Sequence, residues 1–170
     1  MKKIFILLLF TFFVITTVSS QTITKNNLPK NLQGVRMNFK IDFSEAIICG
    51  LNEEDFSKLE KDWEEDKPTI VRNFKKAANL SIGKSYGIGD YSDAPYTIIV
   101  KVNTITDEGY FICNARVVDG ENNTLFEIEK LTGGKEPPFM IGTKLARMKI
   151  WATLTGKTLG SILKEELSNK

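Results

Sequence analysis

The chain has 170 residues, 42% of them hydrophobic and 26% charged, with a formal net charge of +2. That length suits one domain with a tail, the apolar fraction is enough to bury a core, and 5 Pro with 12 Gly exclude collagen-like or low-complexity character. With no His the chain lacks the commonest general base, the commonest zinc ligand and the physiological pH switch.

Lys2 and Lys3 precede an apolar run, Ile4 to Val18, followed by Ser19, Ser20 and Gln21. This is the n-region, h-region and small-residue cleavage pattern of a secretory signal peptide. The run of about 15 residues falls short of the roughly 20 that a spanning helix needs. Residues 1–20 are therefore expected to be removed between Ser20 and Gln21, and the chain to be exported, periplasmic or extracellular. No Cys adjoins the cleavage position, so a lipid anchor there is not expected. Removing Lys2 and Lys3 takes Lys+Arg from 23 to 21, equal to the 21 Asp+Glu. The mature chain is formally neutral, which gives no support to nucleic-acid or anionic-membrane binding.

Residues 21–34 are polar and aperiodic and read as a flexible N-terminal arm. From 35 to 168 the pattern is that of a single domain. Val35, Met37, Phe39, Ile41 and Phe43 alternate with polar residues, the period of a half-buried strand. Asn52 is a good N-cap, and Phe56, Leu59 and Trp63 predict a helix over about 53–66. Pro68 suits the first turn of a second helix capped by Asp66. Residues 83–95 read as a loop. Three strands, Tyr96–Ile105, Tyr110–Val118 and Thr124–Leu131, are separated by turn residues and form an antiparallel meander. A long last helix, about 140–168, carries Ala152, Gly156 and Gly160 at four-residue steps, small residues that let it lie close on the sheet. The predicted fold is α+β: a mainly antiparallel sheet with helices packed on one face.

The chemistry in this pattern is sparse. Gly83-Lys84-Ser85 resembles the end of a phosphate-binding loop, but Ala78 stands where its first Gly belongs and the segment follows a helix. Gly87 and Gly89 begin a dinucleotide fingerprint that ends at Ser92 with no helix after it. Asp90 and Asp93 lack calcium-loop spacing. No metal or cofactor is expected. Eight carboxylates lie between Glu53 and Asp66, mostly on the polar face of a helix. A pair of them, or Asp90 with Asp93, gives the alternative reading of a small carboxylate-dependent hydrolase. Cys49 and Cys113 would meet an oxidising space, where they form one bridge or remain free; Cys113, mid-strand on an apolar face, suits a small hydrophobe. Asn79-Leu80-Ser81 and Asn122-Asn123-Thr124 fit glycosylation acceptors, which matter only in a eukaryotic secretory pathway. Tyr86, Asp90, Tyr91, Asp93 and Tyr96 cluster in one glycine-bearing loop and are the candidate binding surface, because loops bearing aromatics often bind.

The meander over 96–131, the pair Gly133-Gly134, and Gly156 and Gly160 ahead of Leu163 resemble small exported Gram-negative proteins with the α+β domain found at the N-terminus of TolB and in curli-secretion-type lipoproteins. The resemblance spans about 35–168. It implies a non-enzymatic envelope assembly or interaction module with a protein or envelope component as partner, and it carries over no site residue.

Overall fold

The computed structural model describes residues 21–29, 32, 34–134 and 142–168. The expected signal segment, the two prolines at 137–138 and the expected start of the last helix at 140–141 lie outside them.

Ten elements follow in order: β1 (Thr22–Asn26), β2 (Arg36–Asp42), β3 (Ile47–Ile48), α1 (Glu53–Leu59), α2 (Trp63–Ile82), β4 (Gly87–Gly89), β5 (Tyr96–Ile105), β6 (Phe111–Asp119), β7 (Thr124–Leu131) and α3 (Lys144–Ser168). The strands make one seven-stranded sheet in the order β1-β7-β6-β5-β2-β4, with β3 beside β5. The α+β class holds, but the sheet is mixed rather than mainly antiparallel. β5–β6, β6–β7 and β1–β7 are antiparallel, whereas β2 runs parallel to both β4 and β5, and β3 runs parallel to β5. The cause is the helix pair. A helical crossover returns the chain to the end of the sheet where β2 began, so the next strands run alongside it in the same direction.

Two further differences lie in the connections. The N-terminal arm contains β1, which pairs with β7 from Thr22↔Glu129 to Asn26↔Phe126 and is tied to the end of α3 by Asn26 donating to Glu166. Its alternating polar residues gave no apolar face to detect because an exposed edge strand has none. Likewise, residues 87–89 of the expected loop form β4, a short edge strand whose Ile88 N–H donates to Asn79 Oδ1 at 2.8 Å.

The helix pair also divides earlier than its pattern suggests. α1 stops at Leu59 and α2 starts at Trp63, which leaves Pro68 inside the helix. In one continuous helix Phe56 and Trp63 would be separated by about 10 Å of rise. The break brings their rings edge to face at 5.2 Å, with Phe43 meeting Trp63 at 6.0 Å. Asn52 Oδ1 accepts from Asp55 N at 2.9 Å, as its capping role requires.

One sheet face carries Met37, Phe39, Ile98, Val100, Val102, Phe111, Cys113, Val117, Phe126 and Ile128, all buried under α2 and α3. The small residues of α3 serve a different neighbour from the sheet. A Cβ on Gly156 would sit 2.2 Å from the Phe74 carbonyl oxygen, and one on Gly160 would sit 2.3 Å from that of Ala78. They let α3 lie against the backbone of α2. Gly133 does the same for Trp151, whose ring stands 2.8 Å from where its Cβ would be.

Gly156→Ala is expected to destabilise the fold by about 1–3 kcal/mol, because overpacking against rigid backbone outweighs the roughly 1 kcal/mol gain in helix propensity. Gly120→Ala, with open space around its Cβ position, should change little. The urea midpoints of the two variants decide the matter.

Candidate functional site

Among the described residues no helix lies over the opposite face of the sheet, and its residues explain why. Arg36, Asn38, Lys40 and Asp42 on β2, Ile99 and Lys101 on β5, Asn114 and Arg116 on β6, and Glu127 on β7 all lie on this side. They align across the strands as Lys40↔Ile99↔Arg116↔Glu127 and Asp42↔Lys101↔Asn114. Charges of opposite sign stand as cross-strand neighbours, which stabilises a solvated sheet face modestly. Lys101 also reaches Glu45 at 2.5 Å. The twist of the sheet hollows this surface into a groove of about 250 Å³ lined by Asp42, Ile99, Lys101, Asn114, Arg116 and Glu127.

The structure scatters the five loop residues expected to bind. Tyr91 belongs to the open face: it folds back over β4, within 3.0 Å of where a Cβ on Gly89 would lie, and the Arg36 guanidinium stands 5.2 Å from its ring centroid. Glycine at 89 is what admits the ring, since a Cβ there would stand 2.9 Å from Tyr91. Tyr86 and Tyr96 pack against the core. Asp90 pairs with Lys75 of α2, and Asp93 sits exposed in the following turn. The loop therefore contributes one aromatic side chain to the edge of the open face. The rest of that face was missed because its polar residues, read one strand at a time, look like ordinary solvent-facing positions.

Beside the open face, a second hollow of about 740 Å³ includes Lys40, Asp42, Phe43, Glu53, Lys67 and Val71. It brings two carboxylates, Asp42 and Glu53, into one concavity. Ser44 N–H donates to Asp42 at 2.8 Å and this bond holds its carboxyl below the ordinary range, the opposite of what a general acid needs. Glu53 accepts from the Trp63 indole at 3.0 Å and pairs with Lys67. Other carboxylates of the acidic segment bind lysines too: Glu60 with Lys144 at 3.8 Å and Asp66 with Lys149 at 2.6 Å, both reaching α3. Among the described residues no cluster of His, Cys, Asp or Glu is arranged to hold a metal.

Cys49 and Cys113 are free thiols. Cys113 is wholly buried in β6, and burial pushes its thiol strongly up. Cys49 and Gly50 have φ of 51° and 82° in the tight turn between Ile48 and Leu51. Burial raises the Cys49 thiol to about 11, partly offset by Lys144.

No family model and no curated protein matches the chain. A solved structure, a PelC dodecamer from Paraburkholderia phytofirmans carrying one substitution, is similar with a TM-score of 0.41 and 9% identity, covering 82% of this chain and 95% of that one. Among the described residues no helix is long and apolar enough to cross a membrane.

With its pKa raised from 9.0 to about 11, Cys49 should carry roughly a hundredfold less thiolate than an unperturbed thiol at mildly alkaline pH. Its alkylation in the native chain should be slowed accordingly, and Cys113 should react only on unfolding; timed labelling followed by mass spectrometry checks both. Hydrogen bonds also lower the carboxyls of Asp42, Asp55, Glu108 and Asp119. Folded pKa values below the unfolded ones mean that stability is fully present above about pH 5 and is lost as pH falls through the folded values. Urea midpoints should drop on acidification below about pH 4.

Proposed function

We propose that the chain is an exported, non-enzymatic binding module that docks a protein or envelope component on the open face of its sheet. The carrying observation is that a sheet face several strands wide is covered by no helix among the described residues and forms a groove lined by Lys101, Arg116, Asp42 and Glu127. Mixed charges around a groove favour specific orientation of a partner over indiscriminate adhesion. The signal-like segment Lys2 to Ser20 supports export, and β1, beginning at Thr22, would remain complete after cleavage at Gln21. The tyrosine loop enters this reading through Tyr91, which rims the face beside Arg36. The hydrolase alternative would use a pair from the acidic segment, or Asp90 with Asp93; Glu53 accepts from the Trp63 indole, Asp90 is paired with Lys75, and Asp42, which shares a hollow with Glu53, accepts from the Ser44 N–H.

The test is capture from envelope extract with the purified chain as bait. A double variant, Lys101→Gln with Arg116→Gln, should lose the captured partner while staying folded with a melting temperature close to that of the wild type, since Arg116 is exposed and Lys101 half-buried and neutral residues bring no like charges opposite Asp42 or Glu127. Lys157→Glu, on the exposed side of α3, should retain it. Undiminished capture by the double variant would refute docking on this face.

A further inference from the structure

We infer that Gln21 is a modification site: once it becomes the N-terminus, it closes on itself to pyroglutamate, a five-membered lactam that caps the edge strand β1. The inference rests on the export reading above, through removal of residues 1–20 between Ser20 and Gln21.

The chemistry needs a glutamine with an α-amine and room to turn. In the neutral amine the nitrogen lone pair attacks the side-chain amide carbon, Cδ. A bond forms between the α-nitrogen and Cδ, and the bond from Cδ to Nε2 breaks. The α-nitrogen gives up one proton to the departing nitrogen, which leaves as ammonia. Nothing is oxidised or reduced, and no co-reactant is consumed. An ordinary α-amino pKa of about 7.7–8.0 leaves roughly a tenth of the amine neutral at about pH 7. Cleavage one residue to either side would leave Ser20 or Thr22 first, and neither carries a side-chain amide to close on. Like acetylation, the lactam removes the terminal charge.

The structure gives Gln21 the room and shows what the lactam protects. Gln21 is exposed and precedes β1, whose first ladder pair is Thr22↔Glu129, so ring closure gives up no pair of the sheet. β1 is the outermost strand, beside β7. Its first four residues are exposed, so little apolar burial holds it. It is held chiefly by pairing with β7, by the Asn27 N–H donating to the Leu125 carbonyl at 2.7 Å, and by Asn26 donating to Glu166. A terminal strand held this way opens locally at small cost. Each opening presents its first residue to an aminopeptidase, an enzyme that recognises a terminal α-amine. Trimming through β1 would bare the edge of β7 and reach Leu28, which is 4% exposed. The lactam has no such amine, so trimming cannot begin.

The test is the N-terminal peptide of the full chain, produced with its own residues 1–20 in a Gram-negative host and purified after export. Mass spectrometry should find a peptide that begins at residue 21 and is lighter than the glutamine form by one ammonia. Gln21→Ser should start at the same residue with its amine intact. Incubated with a broad-specificity aminopeptidase, that variant should lose β1 residue by residue, while the wild-type chain keeps its full length. Removing the lactam beforehand with pyroglutamyl aminopeptidase should make the wild type as sensitive as the variant. An uncyclised Gln21 at the N-terminus overturns the proposal and leaves the export reading standing. A start at any other residue overturns the proposal through its cleavage position, and a chain found only in the cytoplasm with residues 1–20 in place overturns the export reading as well. Equal trimming of the cyclised wild type and Gln21→Ser overturns the protective role of the lactam.

Discussion

The close approach of α3 to α2 is the constraint from which the architecture follows. At Gly156 and Gly160 the two helices touch through backbone, with the Phe74 and Ala78 carbonyls occupying space that any side chain would fill. Helices this close share one narrow layer, and that layer spans one sheet face: α2 sits over β2, where Phe74 meets Phe39 at 5.7 Å, and α3 lies on the β6–β7 side. The lysines that tie α3 to the helix pair, Lys144 to Glu60 at the end of α1 and Lys149 to Asp66 of α2, are partly shielded from solvent but contribute little beside the packing they border. With both long helices committed to the same side, no described element is left for the other.

An uncovered sheet face must be solvated or bound. In this chain the solution is charge pairing across strands, Arg116 beside Glu127 and Lys101 beside Asp42. The same pairing that keeps the face soluble gives it a pattern, so one arrangement serves stability in the free chain and recognition in a complex. Tyr91 finishes the face: its ring lies against the Cβ position of Gly89 and covers this side of the short outer strand β4.

Much of the fold was legible because its signals are local. The alternation of Met37, Phe39 and Ile41, the meander turns, and the cap at Asn52 each depend on residues close in sequence. The parallel pairings were not, since strand direction is decided by where the α1–α2 crossover delivers the chain, a property of the whole path. β1 escaped because its partners lie about a hundred residues away in β7. The glycine row of α3 was correctly read as a close-packing surface, but its spacing could not name the neighbour. The tyrosine loop illustrates the limit for sites. Five chemically suggestive residues adjoin in sequence, yet β4 and the register of β5 send Tyr86 and Tyr96 inward, Asp90 toward Lys75, and only Tyr91 to the open face.

The two tryptophans show how the same side chain can be fully bonded in one place and carry a stranded donor in another. Trp63 is 0% exposed and Trp151 1%, and each meets a second aromatic ring edge to face. Packing therefore does not distinguish them. Trp63 gives its N–H to Glu53 at 3.0 Å, which joins α2 to α1 and leaves nothing unmet. Among the described residues Trp151 has no acceptor for its N–H. If filling space were its whole task, a phenylalanine could meet much of the same apolar demand without a stranded donor, which disfavours the fold by about 1–3 kcal/mol. That deficit is local, and the packing of the larger indole ring against Tyr110 at 4.5 Å and against Gly133 offsets it.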